Sequence, residues 1–200
     1  MKPLFRRLRR SELPADTVAL ARYLIGKTLV HDTPRGRLAG RIVETEAYPP
    51  GDPSGHAYRG QTRANRSLFL ERGRAYVFFS YGWWHMMNVS SEKAGLGAGV
   101  LLRALEPLEG IPQMRRSRGT KRFHDLARGP GCLAQAMRIT RRFDGLDLCA
   151  PGPLWLGAAV RPTGKIGAST RIGISRAKHH RHRFFERGNP CVSGPRRLSV

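Results

Sequence analysis

The 200 residues carry 36 Lys and Arg against 14 Asp and Glu, a formal charge of +22, with 40% hydrophobic composition. This is one domain's worth of chain with enough apolar content for a core, which excludes a disordered segment, and no run approaches the roughly eighteen apolar residues of a membrane span. The charge repels itself and calls for a polyanionic partner; because only six of the basic residues are Lys, the excess is arginine, whose planar fork suits phosphates and bases and makes binding salt-sensitive.

Met1 to Arg10 is basic but is followed by no apolar segment, so no secretory signal is expected. Asp16 then caps an apolar-periodic run, Val18, Leu20, Ala21, Leu24 and Ile25, that stops at Gly26: a short helix. Lys27 to His31 and Arg37 to Tyr48 read as two strands of a hairpin around Pro34-Arg35-Gly36. Pro49 to Gly60, with three Pro and three Gly, reads as a loop. Ala75 to Tyr81 is an aromatic strand, and Asn88 to Ser91 and Gly99 to Ala104 are strands flanking a glycine-rich turn. Leu108 to Arg118 reads as a basic helix, and Leu126 to Ile139 contains a second one starting near Pro130. The last third returns to short strands at Leu154 to Leu156, Arg171 to Ile174 and Phe184 to Phe185. With no repeat, no linker and no regular alternation of strand and helix, residues 1–200 form a single α+β domain in this reading.

Four features bear on chemistry. In the strand from Arg41 to Tyr48, alternation puts Ile42, Glu44, Glu46 and Tyr48 on one face. Two carboxylates on one strand face of a strongly basic chain are either ion-pair partners of arginines or include a general base for a water. In the aromatic strand Tyr76, Phe78 and Ser80 share a face that could stack a base, while Phe79 reads as core, and Tyr81-Gly82 stands where a wedge into a duplex would sit. Arg103, after the apolar run Val100 to Leu102, is either a surface residue or an inward one that needs an anion such as Glu46. His56, in the Pro/Gly loop, is either solvated or a reader of a base edge. Cys132, Cys149 and Cys191 are widely spaced and read as free thiols of a reducing compartment, and His179, His180 and His182 lack the partners of a metal site.

Taken together, Arg41–Tyr48 (RIVETEAY), His56–Gly60 (HAYRG), Tyr81-Gly82, Met87–Ser91 (MNVSS) and Val100–Glu109 (VLLRALEPLE) resemble the alkyladenine (3-methyladenine) DNA glycosylase family, in the manner of a compact bacterial member. Gly129-Pro130 before Leu133, Arg171-Ile172-Gly173 and the helix end Leu24-Ile25-Gly26 fit the same pattern, so the resemblance spans nearly the whole chain. It implies a curved antiparallel sheet with a few flanking helices, and a monofunctional hydrolase of base-excision repair. Such an enzyme flips alkylated or deaminated purines (3-methyladenine, 7-methylguanine, hypoxanthine, ethenoadenine) out of duplex DNA and leaves an abasic site. In that pattern Glu46 is the base for water, and Arg103 and the Ile172 backbone carbonyl help to hold that water. Tyr48 and His56 sandwich the base, Asn88, Tyr76 and Phe78 complete its pocket, and Tyr81 enters the duplex. Phe78 stands where relatives often carry Tyr. No cofactor or metal, no lyase activity, a monomer acting on duplex DNA without a membrane, and a cytoplasmic, nucleoid-associated location are expected. The alternative is a non-enzymatic nucleic-acid-binding module, for which an acid in the groove would be a cost.

Overall fold

Residues 5–80, 82 and 84–195 are described by a computed structural model of the protein. The chain opens into α1 (Thr17–Leu24), whose first turn is closed by Asp16, its carboxylate accepting from the Ala19 N–H at 2.7 Å. The hairpin follows as β1 (Thr28–Thr33) and β2 (Gly36–Tyr48), with Thr28 opposite Arg41 and Thr33 opposite Gly36. After a long loop come β3 (Ala75–Ser80), β4 (Trp84–Ser90) and β5 (Gly99–Glu109), then α2 (Ile111–Arg118) and α3 (Pro130–Ala136). The chain finishes with β6 (Leu154–Gly157), β7 (Ile166–Ser169) and β8 (Arg183–Glu186).

Among the described residues eight strands make one curved antiparallel sheet in the order β3-β4-β5-β2-β1-β6, with β8 added to β2 and β7 to β8. With helices grouped on this sheet rather than alternating with its strands, the class is α+β, as the sequence implies. β2 is the centre of the sheet. One of its edges runs along β5; the other is shared, residues 36–41 pairing with β1 and 44–46 with β8. Residues 38–47 of β2 are buried without a break, which fits a strand covered on both faces. The helices supply one cover: α1 contacts β2, α3 contacts β4 and β5, and α2 packs on α3. Leu20, Leu24, Met114, Leu133, Val77, Val89 and Leu102 belong to the resulting core.

The structure corrects several sequence expectations. Register slips between Ile42 and Glu44 put an irregularity in β2, so Ile42 joins the helix-side core with Ala47, while Val43 packs with Ala104 and Phe185. Simple alternation therefore misplaces Ile42; Thr45 faces the helices, its hydroxyl donating to the Ala21 carbonyl, and Glu44, Glu46 and Tyr48 are left on the opposite side. β5 runs on to Glu109 instead of ending at Ala104, passing Pro107 where the pairing with β2 also slips. The helix expected from Leu108 accordingly starts at Ile111, after Gly110 turns the chain with φ +78°; a Cβ there would lie 2.5 Å from the Arg37 carbonyl oxygen. β4 begins at Trp84, before the expected Asn88. Arg171 to Ile174 is not a strand but a bend with Gly173 at φ +77°, and the strand of that region is β7. Phe79 is not core; it is 54% exposed.

His31 on β1 gives a pH prediction. Its ring is 2% exposed, its Nδ1–H donates to the Met137 carbonyl at 2.7 Å, and it meets Phe143 edge-on. Burial lowers its pKa, against the pull of the Met137 carbonyl and with nearby Arg142 adding to the effect. The folded chain thus takes up a proton at lower pH than the unfolded chain, whose histidine titrates near about 6.5. Stability is full above that pH and falls as pH drops from there toward the folded-state value. Thermal unfolding midpoints measured from pH 7.5 to 5 should decline below about pH 6.5, and less steeply in His31→Gln.

Candidate active site

The end of β2 projects Glu44, Glu46 and Tyr48 from the sheet, and β5 brings Arg103 alongside. Glu46 is wholly buried, and two hydrogen bonds and an ion pair hold it. Its Oε2 accepts from the Tyr48 hydroxyl at 2.9 Å and lies 3.2 Å from Arg103 Nη1; its Oε1 accepts from the Ile172 backbone N–H at 2.8 Å. The resemblance gives the Ile172 carbonyl to the water; the N–H of the same residue is the group bonded to the carboxylate.

Arg103 is the inward arginine of the two readings, 7% exposed. Besides Glu46 it grips Glu44, donating from Nε to Oε1 at 2.8 Å. Burial works against its charge, but Glu46 and then Glu44 more than offset this, so its pKa is raised and the guanidinium stays charged. Glu44 is shared: Arg183 Nε donates to the same Oε1 at 2.7 Å, and the Ser193 N–H donates to Oε2 at 2.7 Å. Two carboxylates and two guanidiniums, all buried, thus balance one another.

In front of this cluster lies a cavity of about 320 Å³. Tyr48, His56, Tyr76, Phe78, Asn88 and Arg103 all line it, with Ile172 beside them. Tyr76 and Phe78, two apart on β3, stack with centroids 5.4 Å apart at 20°. The His56 ring meets Phe78 edge-on at 4.4 Å, and its Nδ1 is 2.9 Å from the Tyr76 hydroxyl. Burial lowers the His56 pKa, which keeps the ring neutral at pH 7, and pushes the Tyr76 phenol up to about 12. Asn88, opposite Tyr76 in the β3–β4 pairing, is 7% exposed. Tyr81 lies outside the described residues. Among the described residues no three His, Cys, Asp or Glu side chains gather as metal ligands would.

Sequence reasoning missed the residues that fix this frame. Arg171 Nη1 donates to Asp52 Oδ2 at 2.5 Å and to the Ala47 carbonyl at 3.0 Å, tying the Pro/Gly loop to the bend that carries Ile172. Its guanidinium lies 4.7 Å from the centre of the Tyr48 ring. Asp52 also accepts from the Ser54 N–H, the local turn signal that an Asp two residues before a Ser can give. Arg183 and Ser193 had no signal, because their partner Glu44 is about 140 residues earlier in the chain.

A family model described as methylpurine-DNA glycosylase matches residues 11–190, a span that includes every described residue of this cluster up to Arg183. This chain belongs to the methylpurine-DNA glycosylase family. Membership makes it a DNA glycosylase of base-excision repair, with DNA as its partner. It is 62% identical over 189 residues to a protein of Mesorhizobium japonicum, covering 94% of this chain and 91% of that one. It is 53% identical over 193 residues to one of Paraburkholderia phytofirmans, with 96% and 91% covered. To one of Methanocella arvoryzae it is 45% identical over 193 residues, with 90% and 95% covered. All three relatives carry the provisional name 3-methyladenine DNA glycosylase. No helix among the described residues of this family member is long and apolar enough to cross a membrane.

Proposed function

We propose that the chain flips damaged purines, of the alkylated and deaminated classes, from duplex DNA into the aromatic cavity and hydrolyses their N-glycosidic bond with a water activated by Glu46. The observation that carries this reading is the buried Glu46, held against a base-stacking cavity by Arg103, Tyr48 and the Ile172 N–H in a chain of charge +22. Breaking the bond leaves an oxocarbenium-like sugar, which a carboxylate stabilises electrostatically and a deprotonated water traps. A merely DNA-binding surface would be weakened by such a group.

The flipped base stacks on Tyr48, Tyr76 and Phe78, and the neutral His56 and the Asn88 amide offer hydrogen bonds to its edge. Phe78 supplies a face without a hydroxyl, so polar reading of the base falls to His56 and Asn88. Tyr81 takes the place of the extruded base in the duplex. N-alkylated purines leave as cations and need little help, whereas hypoxanthine needs a proton or strong hydrogen bonds at its edge. A lyase would need an amine at the sugar; among the described residues no lysine lines the cavity. The product is therefore an abasic site, made by a monomer without metal or cofactor.

The test is base release from methylated duplex DNA and from oligonucleotides carrying hypoxanthine or ethenoadenine. Strand breaks should appear only after hot alkali. Breaks without alkali would establish lyase chemistry, and tight DNA binding with no release from any substrate would return the chain to the binding-module reading.

A further inference from the structure

A second cleft, of about 410 Å³, lies beside the aromatic cavity, between the loop after β2 and the bend that carries Ile172. Ser54, His56, Tyr58 and Ile174 line both spaces, so the two adjoin. Their chemistry differs. The second cleft has an arginine in each wall, Arg59 in the loop and Arg176 in the bend, and no acidic residue among its described lining. Both arginines are exposed, and among the described residues neither side chain has a hydrogen bond or an ion pair. Arg103, Arg171 and Arg183 are instead held by carboxylates, and even the surface residues Arg6 and Arg161 find Glu12 and Glu106. The two walls are tied together: the Ser54 hydroxyl donates to the Arg176 carbonyl at 2.6 Å, and the Ser54 N–H donates to Asp52, which Arg171 holds. We propose that this cleft is a phosphate clamp, seating a DNA backbone phosphate that flanks the flipped nucleotide, with Arg59 and Arg176 as positioning residues.

The inference rests on the reading above, in which the flipped base enters the first cavity. A nucleotide turned out of the duplex carries its two phosphates with it, so the backbone must pass close to whatever space takes the base. The second cleft adjoins that space, and DNA is the partner of the family. A guanidinium suits the phosphodiester, donating two parallel N–H groups to its oxygens. Two cations at one cleft without an acid repel each other, and an anion between them removes that cost. Because the walls are already joined through Ser54 and Asp52, little ordering is needed when the phosphate arrives. The bend that carries Arg176 also carries the Ile172 N–H bonded to Glu46, so a phosphate gripped here is placed relative to that carboxylate by a few residues of chain.

The probe is a duplex with one hypoxanthine nucleotide bearing a 2′-fluorine, which destabilises the sugar cation and so prevents release. Its affinity is measured across salt concentrations for the wild type, Arg59→Gln and Arg176→Gln. Each substitution should lower the slope of log affinity against log salt by about 0.9, which is about eightfold weaker binding at 0.1 M salt, converging on the wild type toward 1 M. An unchanged slope in either variant would overturn the clamp. A second measurement locates the phosphate. A neutral methylphosphonate replaces the linkage on the 5′ or the 3′ side of the lesion. At one of these two positions it should weaken the wild type by a similar factor and leave the doubly substituted protein no weaker than before. Losses that simply multiply at both positions would mean a diffuse field and would overturn the proposal. The two readings fail separately. A wild type that releases no base from any cleavable substrate defeats the hydrolytic reading, while these affinities still report on the cleft; an active wild type with unchanged slopes in both variants defeats the clamp alone.

Discussion

Glu46→Gln should lower single-turnover base release by about a thousandfold while damaged duplex is bound as tightly as before. The amide keeps the volume of the side chain but has no negative charge for the sugar cation and no basic site for the water's proton. Its surroundings also predict a modest cost in stability. The Tyr48 hydroxyl donates to one oxygen of Glu46, which also ion-pairs with Arg103, and the Ile172 N–H donates to the other. An amide presents an acceptor on one side only, so a donor is left facing a donor, at about 1–3 kcal/mol. The measurement is therefore a pair: quenched-flow base release and an unfolding midpoint. Unchanged release would remove Glu46 from the chemistry, and a drop in binding equal to the drop in rate would make it an ion-pair partner of Arg103 and nothing more.

Arg183→Met should show the opposite pattern, with stability as the main loss. Arg183 has no exposed side-chain surface and shares Glu44 Oε1 with Arg103. Its other nitrogens donate to the Ser169 hydroxyl and the Ser193 carbonyl, so it ties β8, β7 and the following loop to β2. Methionine fills the space but leaves the buried Glu44 with one guanidinium in place of two. Breaking a buried pair in this way costs about 3–5 kcal/mol, or roughly 10 °C in the midpoint for a chain of this size. Calorimetry would measure it. A midpoint within a degree or two of wild type would mean that Arg103 and the Ser193 N–H satisfy Glu44 without Arg183.

The contrast between these residues shows what the sequence made legible. Helix α1 with its Asp16 cap, the hairpin, the aromatic strand and the α+β class were readable because each is written in local periodicity or capping chemistry. Glu46, Tyr48, Arg103, His56, Tyr76 and Phe78 were readable as candidates from strand alternation and local context, and Asn88 through the family resemblance; all but the fully buried Glu46 line one cavity. The failures have physical causes. Alternation assumes an even pleat, which the slip after Ile42 breaks. Pro107 looks like a strand end but sits at an irregularity that tolerates it. Phe79 looks like core because aromatics on strands usually are, yet β3 is the outermost strand on its side of the sheet. Glu44 was visible as a carboxylate but not as the hub of two arginines, because Arg183 and Ser193 join it from far along the chain.

That long reach has a consequence for how the enzyme comes into being. Two of the three partners of Glu44 arrive last: Arg183 and Ser193 are among the final described residues, and β8 fills the half of the β2 edge that β1 leaves open. While the chain is being made on the ribosome, the residues of the β1–β2 hairpin and Arg103 are all present long before this, but Arg183, Ser193 and the strand that covers β2 beside Glu46 are not. A chain that stopped before β8 would lack two of the three groups that hold Glu44 and the strand that covers β2 beside Glu46.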